Sequence, residues 1–329
     1  MSNLLSHATE SEIEYRFREN LLPIQVTFVD NAPNILQLSN GEELTSPCLN
    51  CSAKPCLYFD EYTRSDIVDV VFSEDVCPTS ALYLDELEQI VVDSDSCIGC
   101  GLCAFRCKTG AIYLANNKAV VYRDITHLVE GKLPEIEVEY NGSVVTNVEQ
   151  KTMELISTIH ESKKANVVTN NLIKSSFMSL GFKVVKPRVG DVNLRMDLII
   201  DTDQKLYLVE IDGLGCPDTV RDVIDDVAIF CDKYDRELGS LAGVSCLLEF
   251  PNKRSEYYEL ISDVESVLKF SIYSLSLGVI LAALFSRKSL NIDVFGINEK
   301  QTSCRPALDA ILGSNCGFSG NSSTIEAAK

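Results

Sequence analysis

The chain has 329 residues, 46% of them hydrophobic and 23% charged, with only 17 Gly and 10 Pro, which gives length for two cores and excludes a disordered or fibrous chain. Its 29 Lys and Arg against 48 Asp and Glu leave a net charge of −19, of which residues 1–150 carry −15 and residues 151–329 carry −4. A surface that acidic repels phosphate backbones and favours basic protein partners, so any contact with nucleic acid falls to the second half.

The N-terminal stretch, Met1 to Glu10, lacks the basic start and long apolar run of a secretory signal, and a cytoplasmic protein is expected. Residues 1–46 hold a predicted helix at Glu10–Arg18 and a strand at Ile24–Val29, and read as an N-terminal cap on the cysteine-bearing segment. Of the 13 cysteines, eight lie between Cys48 and Cys107 at spacings that suit metal ligation better than disulfides. That chemistry requires a reducing compartment.

The sharpest motif is Cys97-Ile-Gly-Cys100-Gly-Leu-Cys103-Ala-Phe-Arg-Cys107, a Cys-x2-Cys-x2-Cys-x3-Cys run. A cubane iron–sulfur cluster presents metal corners a few ångströms apart, so three thiolates must come from one tight loop whose N–H groups can also face the sulfides. Gly99 and Gly101 permit such a loop, and the fourth cysteine sits about one helical turn later. Zinc is the alternative, since eight cysteines also make two tetrahedral sets of four; zinc ribbons, however, pair two separated Cys-x2-Cys knuckles. A short repeat adds to the pattern: Cys77-Pro-Thr-Ser-Ala-Leu-Tyr-Leu matches Cys107-Lys-Thr-Gly-Ala-Ile-Tyr-Leu position by position, which implies two half-sites built alike.

The stretch Asp93–Leu114 resembles one half of a bacterial-type two-cluster [4Fe–4S] ferredoxin, and Cys48-x2-Cys51-x4-Cys56 with Cys77-Pro78 resembles an altered other half. In that family the fourth cysteine of each motif crosses to the other cluster. The resemblance therefore implies one [4Fe–4S] cluster on Cys48, Cys51, Cys56 and Cys107 and a second on Cys97, Cys100, Cys103 and Cys77, in an α+β domain over residues 47–125. It departs from the family at Lys108, where proline is usual, and in the twenty residues between Cys56 and Cys77. The implied role is electron transfer or redox sensing, with a basic-surfaced redox partner suited to the acidic half.

Residues 126–145, with Glu130–Glu139, Gly131, Pro134 and Asn141-Gly142, read as a linker and turn. Beyond it, Val148, Leu155, Ile156 and Ile159 share one helical face, as do Leu172, Ile173, Phe177 and Leu180, with Gly181 placed to cap the second helix. Strands are predicted at Lys183–Lys186, Asp197–Ile200 and Leu206–Ile211, then a helix from Pro217 through Tyr234, a buried strand at Val244–Phe250 and helix over 255–286. The uncharged run Phe270–Ser286 is at the lower limit for a membrane span and carries three serines and a glycine inside it, so it is read as core and no membrane is expected. Residues 313–329, rich in Ser, Gly and Asn, read as a flexible tail.

Helix, strand, Arg195-Met-Asp197-Leu-Ile-Ile, then Leu206-Tyr-Leu-Val-Glu210-Ile-Asp212-Gly213, then helix, resembles the core of the restriction-endonuclease-like nuclease superfamily, an α/β fold here spanning 146–312. The resemblance implies Asp197 and Glu210 as ligands of Mg²⁺ or Mn²⁺, hard cations that take oxygen donors, with the Ile211 carbonyl as a third and DNA as the implied substrate. Asp212 stands where that family has lysine and joins Asp197 and Glu210 as the third candidate catalytic residue, since some members place a carboxylate there, with Lys186, Lys205 and Lys233 as unranked sources of the lysine. The plain alternative is that Asp197, Glu210 and Asp212 are solvated strand ends on an inactive fold. Cys216, Cys231, Cys246, Cys304 and Cys316 read as buried thiols.

Overall fold

The computed structural model describes residues 26–29, 32–38, 43–45, 54–59, 75–86, 89–107, 112–115, 117–121, 138–140, 148–187, 194–202, 204–213, 217–286, 288–298, 300–312, 318 and 322–327. Two compact units emerge, one drawn from residues 1–145 and one built on residues 146–329.

The first unit is assembled from hairpins. Strands β1 (Val26–Val29), β2 (Ala32–Leu38) and β3 (Glu43–Thr45) form an antiparallel meander in chain order. Of these only the first strand was expected from the sequence, and the predicted helix at Glu10–Arg18 lies outside the described residues. The internal repeat becomes two hairpins: β4 (Leu82–Leu84) pairs with β5 (Ile90–Val92), and β6 (Ile112–Ala115) with β7 (Lys118–Val121). Alternation sends Leu82, Ile90, Ile112, Leu114 and Ala119 inward, while Tyr83 stays 46% exposed. Between the hairpins lies one short helix, α1 (Leu102–Arg106), entered through left-handed Gly101. Strand β8 (Val138–Tyr140) joins the other edge of β6. These three residues fall in the predicted linker, whose acidic, Gly- and Pro-bearing composition hid a strand held by tertiary pairing.

The second unit is a five-stranded mixed sheet with helices. It begins with α2 (Val148–Glu161) and α3 (Ala165–Ser179), each burying the apolar face that the periodicity marks out. Strands β9 (Lys183–Val185), β10 (Leu198–Asp201) and β11 (Leu206–Asp212) run antiparallel, and helix α4 (Pro217–Tyr234) then carries the chain to β12 (Leu241–Leu247), which lies parallel to β11. Helix α5 (Glu256–Leu268) leads to β13 (Ile272–Ser276), parallel to β12, so the sheet order is β13-β12-β11-β10-β9. Every residue of β12 is buried, the signature of a parallel strand covered on both faces. Gly243 in β12 lets α4 approach: a Cβ there would meet Val223 at 2.4 Å.

The expected continuous helix over 255–286 is replaced by α5, β13 and α6 (Leu277–Phe285). Two local devices break it. Lys269 adopts φ 54° and ends α5, and the Ser276 side chain accepts the Val279 N–H at 3.2 Å to start α6. All nine residues of α6 are buried, packing against α2 and α3, which at about 1.5–3 kcal/mol per large apolar side chain makes it a major stabiliser of the unit. Among the described residues no helix is long and apolar enough to cross a membrane. The tail differs from expectation as well. Ile325 and Thr324 are fully buried, and Ser322–Ala327 is stitched in by Phe250 N–H to Ser323 O (2.7 Å), Cys304 N–H to Ile325 O (2.8 Å) and Ala327 N–H to Thr302 O (2.8 Å). Its Ser- and Asn-rich composition concealed these backbone pairings. Helix α7 (Arg305–Leu312) lies between the strap and its partner segment in sequence.

Candidate metal centre

In the first unit four thiols line one cavity. Cys97 and Cys100 come from the loop entering α1, Cys103 from within α1, and Cys77 from the turn before β4; together with Leu82, Val92 and Leu114 they line the cavity. The loop takes its shape from Gly99 and Gly101, at φ 67° and 80°, a region where a side chain is strained. Backbone N–H groups aim at sulfur: Ala81 donates to Cys77 Sγ at 3.2 Å and Ala119 to Cys97 Sγ at 3.4 Å. The Cys97 N–H itself bonds the Asp93 carbonyl at 3.0 Å. Burial, and then the neighbouring thiols of Cys100, Cys77, Cys97 and Cys56, push the Cys103 thiol far above its ordinary range. Gathered thiols ionise together only when a cation takes their charge.

The other implied set is half visible. Cys56 is buried in the turn at Lys54–Leu57, and Cys107 is the half-buried residue that ends α1, while Cys48 and Cys51 lie outside the described residues. Arg106 ties the two described cysteines' segments together: its Nε donates to the Pro55 carbonyl at 2.6 Å, and its guanidinium lies 4.3 Å from the centre of the Phe59 ring. Neither Arg106 nor the turn residues Asn117, Lys118 and Ala119 that grip the Cys97 loop carried any signal in the sequence beyond their nearness to the motif.

In the second unit the matched carboxylates come together, with one partner that was not foreseen. Asp197 precedes β10, accepting the Ile211 N–H at 3.0 Å and the Asn170 amide at 2.6 Å. Its carboxyl is raised by burial, against the pull of those two donors and of Lys186. Glu210 is raised well above the carboxylate range by burial, by its hydrogen bond with Asp226 and by the charges of Asp197, Asp226 and Asp222. Asp226, on α4, is 3% exposed and lies 3.5 Å from the Arg195 guanidinium. An acidic residue inside the apolar stripe Val220, Val223, Val227, Phe230 was the clue to it. Asp212 is engaged by the Thr219 hydroxyl at 3.0 Å, at the start of α4.

The lysines now separate. Lys186 lies within electrostatic reach of Asp197 and donates to Asn171 at 3.0 Å; beside it Lys174, buried on α3, is lowered to about 8 by burial and by Lys186. Lys205 pairs with Asp293 at 3.7 Å over the rings of Tyr207 and Tyr273, and Lys233 lies over Tyr234. Among the described residues no three His, Cys, Asp or Glu side chains converge closely enough to hold one metal ion. Of the remaining cysteines, Cys246 and Cys304 are buried thiols raised by desolvation, Cys231 is half-buried, and Cys216 and Cys316 lie outside the described residues.

Residues 90–113 match the family model of the 4Fe-4S binding domain. Two uncharacterized ferredoxins of Methanocaldococcus jannaschii are similar to part of the chain: MJ0155 is 33% identical over 72 residues, 22% of this chain and 36% of that protein, and MJ0265 is 31% identical over 75 residues, 23% and 34% respectively. The chain thus spans about a third of the length of each relative. Residues 90–113 thus form a 4Fe-4S binding domain, and over 22–23% of its length the chain is similar to these two ferredoxins.

Proposed function

We propose that the first unit is an electron-transfer module holding two [4Fe–4S] clusters, one on Cys97, Cys100, Cys103 and Cys77 and one on Cys48, Cys51, Cys56 and Cys107. The observation that carries this is Cys77, twenty residues from Cys97 in sequence, lining the same cavity as the Cys97–Cys103 loop. Thiols ringing a cavity suit the separate metal corners of a cubane better than one tetrahedral zinc ion. When bound, a [4Fe–4S] cluster takes up and releases one electron at a time. The chain's part is to hold each thiolate, direct N–H donors at sulfur and wall the site with Leu82, Val92 and Leu114 against water. The acidic first half supports docking to a basic partner in a reducing compartment such as the cytoplasm. Anaerobically purified protein is expected to be brown, to contain iron and sulfide, and to give an EPR signal on reduction. Cys77→Ser should remove the iron of one cubane; colourless protein containing zinc refutes the proposal.

A second reading is favoured by the buried group in the second unit. Asp197 and Glu210, with Lys186 in reach of Asp197 and Asp226 hydrogen-bonded to Glu210, lie on a helix–three-strand–helix–strand frame, and this supports a restriction-endonuclease-like domain in which Asp197 and Glu210 would bind Mg²⁺ or Mn²⁺ for hydrolysis of a phosphodiester. DNA incubated with Mn²⁺ and the full chain should be cut, and Asp197→Ala and Glu210→Ala should lose that cutting; equal cleavage by all three proteins places the activity elsewhere.

A further inference from the structure

We infer that Lys118 sets the reduction potential of the cluster held by Cys77, Cys97, Cys100 and Cys103, an inference that rests on the ferredoxin reading of this site. The turn joining β6 to β7 holds the Cys97 loop at three points. The Asn117 carbonyl lies where a side chain at Gly99 would stand, the Ala119 N–H points at Cys97 Sγ, and Lys118 Nζ donates to the Cys97 carbonyl at 2.6 Å. Two of these contacts are made by backbone atoms. The third depends on the lysine side chain alone, and it fixes a full positive charge against a ligand residue.

Reduction adds one electron to the cluster, delivered by a reduced partner, and no bond is made or broken in the protein. The added negative charge is attracted to a nearby cation, and the apolar lining from Leu82, Val92 and Leu114 screens that attraction less than water does. Lys118 therefore favours the reduced state. An opposing charge faces it. The Asp93 carboxylate, held ionised by the Ser96 hydroxyl at 2.6 Å and the Asp95 N–H at 3.0 Å, feels Lys118 and offsets part of its effect.

The repeat supplies an internal control. Leu84 pairs with Ile90 in the first hairpin as Leu114 pairs with Ala119 in the second, so Gln89 occupies the position of Lys118. A neutral residue serves the same hairpin, so the fold does not demand a lysine there. Its charge is specific to the half that grips the Cys97 loop.

Redox titration followed by EPR, with iron and sulfide measured on the same full-length samples, tests the inference. Lys118→Gln should lower the ratio of reduced to oxidised cluster at a fixed potential by up to about tenfold, equal to about 59 mV for a one-electron couple. Asp93→Asn should raise it, and Lys118→Arg should keep the wild-type value, each read on the iron-loaded fraction. An unaltered potential in Lys118→Gln overturns the inference, and so does a Lys118→Arg shift as large as that of Lys118→Gln, which would make the residue a geometric anchor. If Lys118→Gln loses iron, Asp93→Asn decides the matter: an upward shift upholds the electrostatic role and none removes it. Absence of iron from the wild type would instead refute the ferredoxin reading itself.

Discussion

Gly99→Ala is expected to empty the site lined by Cys97, Cys100 and Cys103 while leaving the second unit folded. Two costs coincide at this position. The residue sits at φ 67°, where an alanine is strained by about 1–2 kcal/mol, and its Cβ would come within 2.2 Å of the Asn117 carbonyl oxygen and 2.7 Å of the carbonyl carbon. The obstructing atoms are backbone, so they cannot swing aside as a side-chain tip would. Relief requires moving the 117–119 turn, which carries the Lys118 and Ala119 contacts to Cys97 with it. The readout is iron and sulfide per chain on anaerobic samples, which should fall by the content of one cubane. Gly181→Ala provides the comparison: φ is 93°, but nothing lies within 4 Å of the added methyl, so a loss of about 1 kcal/mol in stability and no loss of iron are expected. Full iron content in Gly99→Ala would mean that the turn does not grip the loop as described.

The contrast between these glycines shows what the sequence could carry. Cysteine spacing and the two loop glycines are local, and the 4Fe-4S reading of residues 90–113 could be made from them. The turn that makes Gly99 irreplaceable lies eighteen residues downstream, and nothing in the turn chemistry of Asn116-Asn117 identifies its target. Similarly, the three antiparallel strands and the α4 helix were legible because period-2 and period-3.6 patterns are strong there. The break between α5 and β13 was not. An apolar run reads alike as helix or strand, and the decision lay with one left-handed residue, Lys269, and one serine cap, Ser276. The strap at Ser322–Ala327 and strand β8 were hidden for a shared reason, since both are held by backbone hydrogen bonds to segments distant in sequence. Asp226 was recoverable in principle, as an acid on an apolar helix face, whereas its meeting with Glu210 depends on how α4 crosses the sheet.

That meeting gives the second unit a pH dependence of defined sign. Burial and the neighbouring carboxylates raise Glu210 well above its ordinary value of 4.5, so over the interval between the two the folded chain holds a proton that the unfolded chain has released. Stability is then fullest below about 4.5 and falls as pH rises toward the raised value, at up to about 1.4 kcal/mol per pH unit. Glu210→Gln keeps a hydrogen-bonding group against Asp226 without a proton to lose. Chemical denaturation monitored on the second unit should therefore give a wild-type stability that declines between pH 6 and pH 8, by up to about 3 kcal/mol, and a flatter line for Glu210→Gln that lies above it at pH 8. Mn²⁺ supplies the functional half of the experiment. A cation that binds the ionised carboxylates of Asp197 and Glu210 replaces the missing proton, so excess Mn²⁺ should restore wild-type stability at pH 8 and leave Glu210→Gln little changed. Parallel pH profiles in the two proteins would refute the buried acid pair, and a wild-type profile indifferent to Mn²⁺ would leave the pair as a structural contact and remove the divalent-cation site from the second unit.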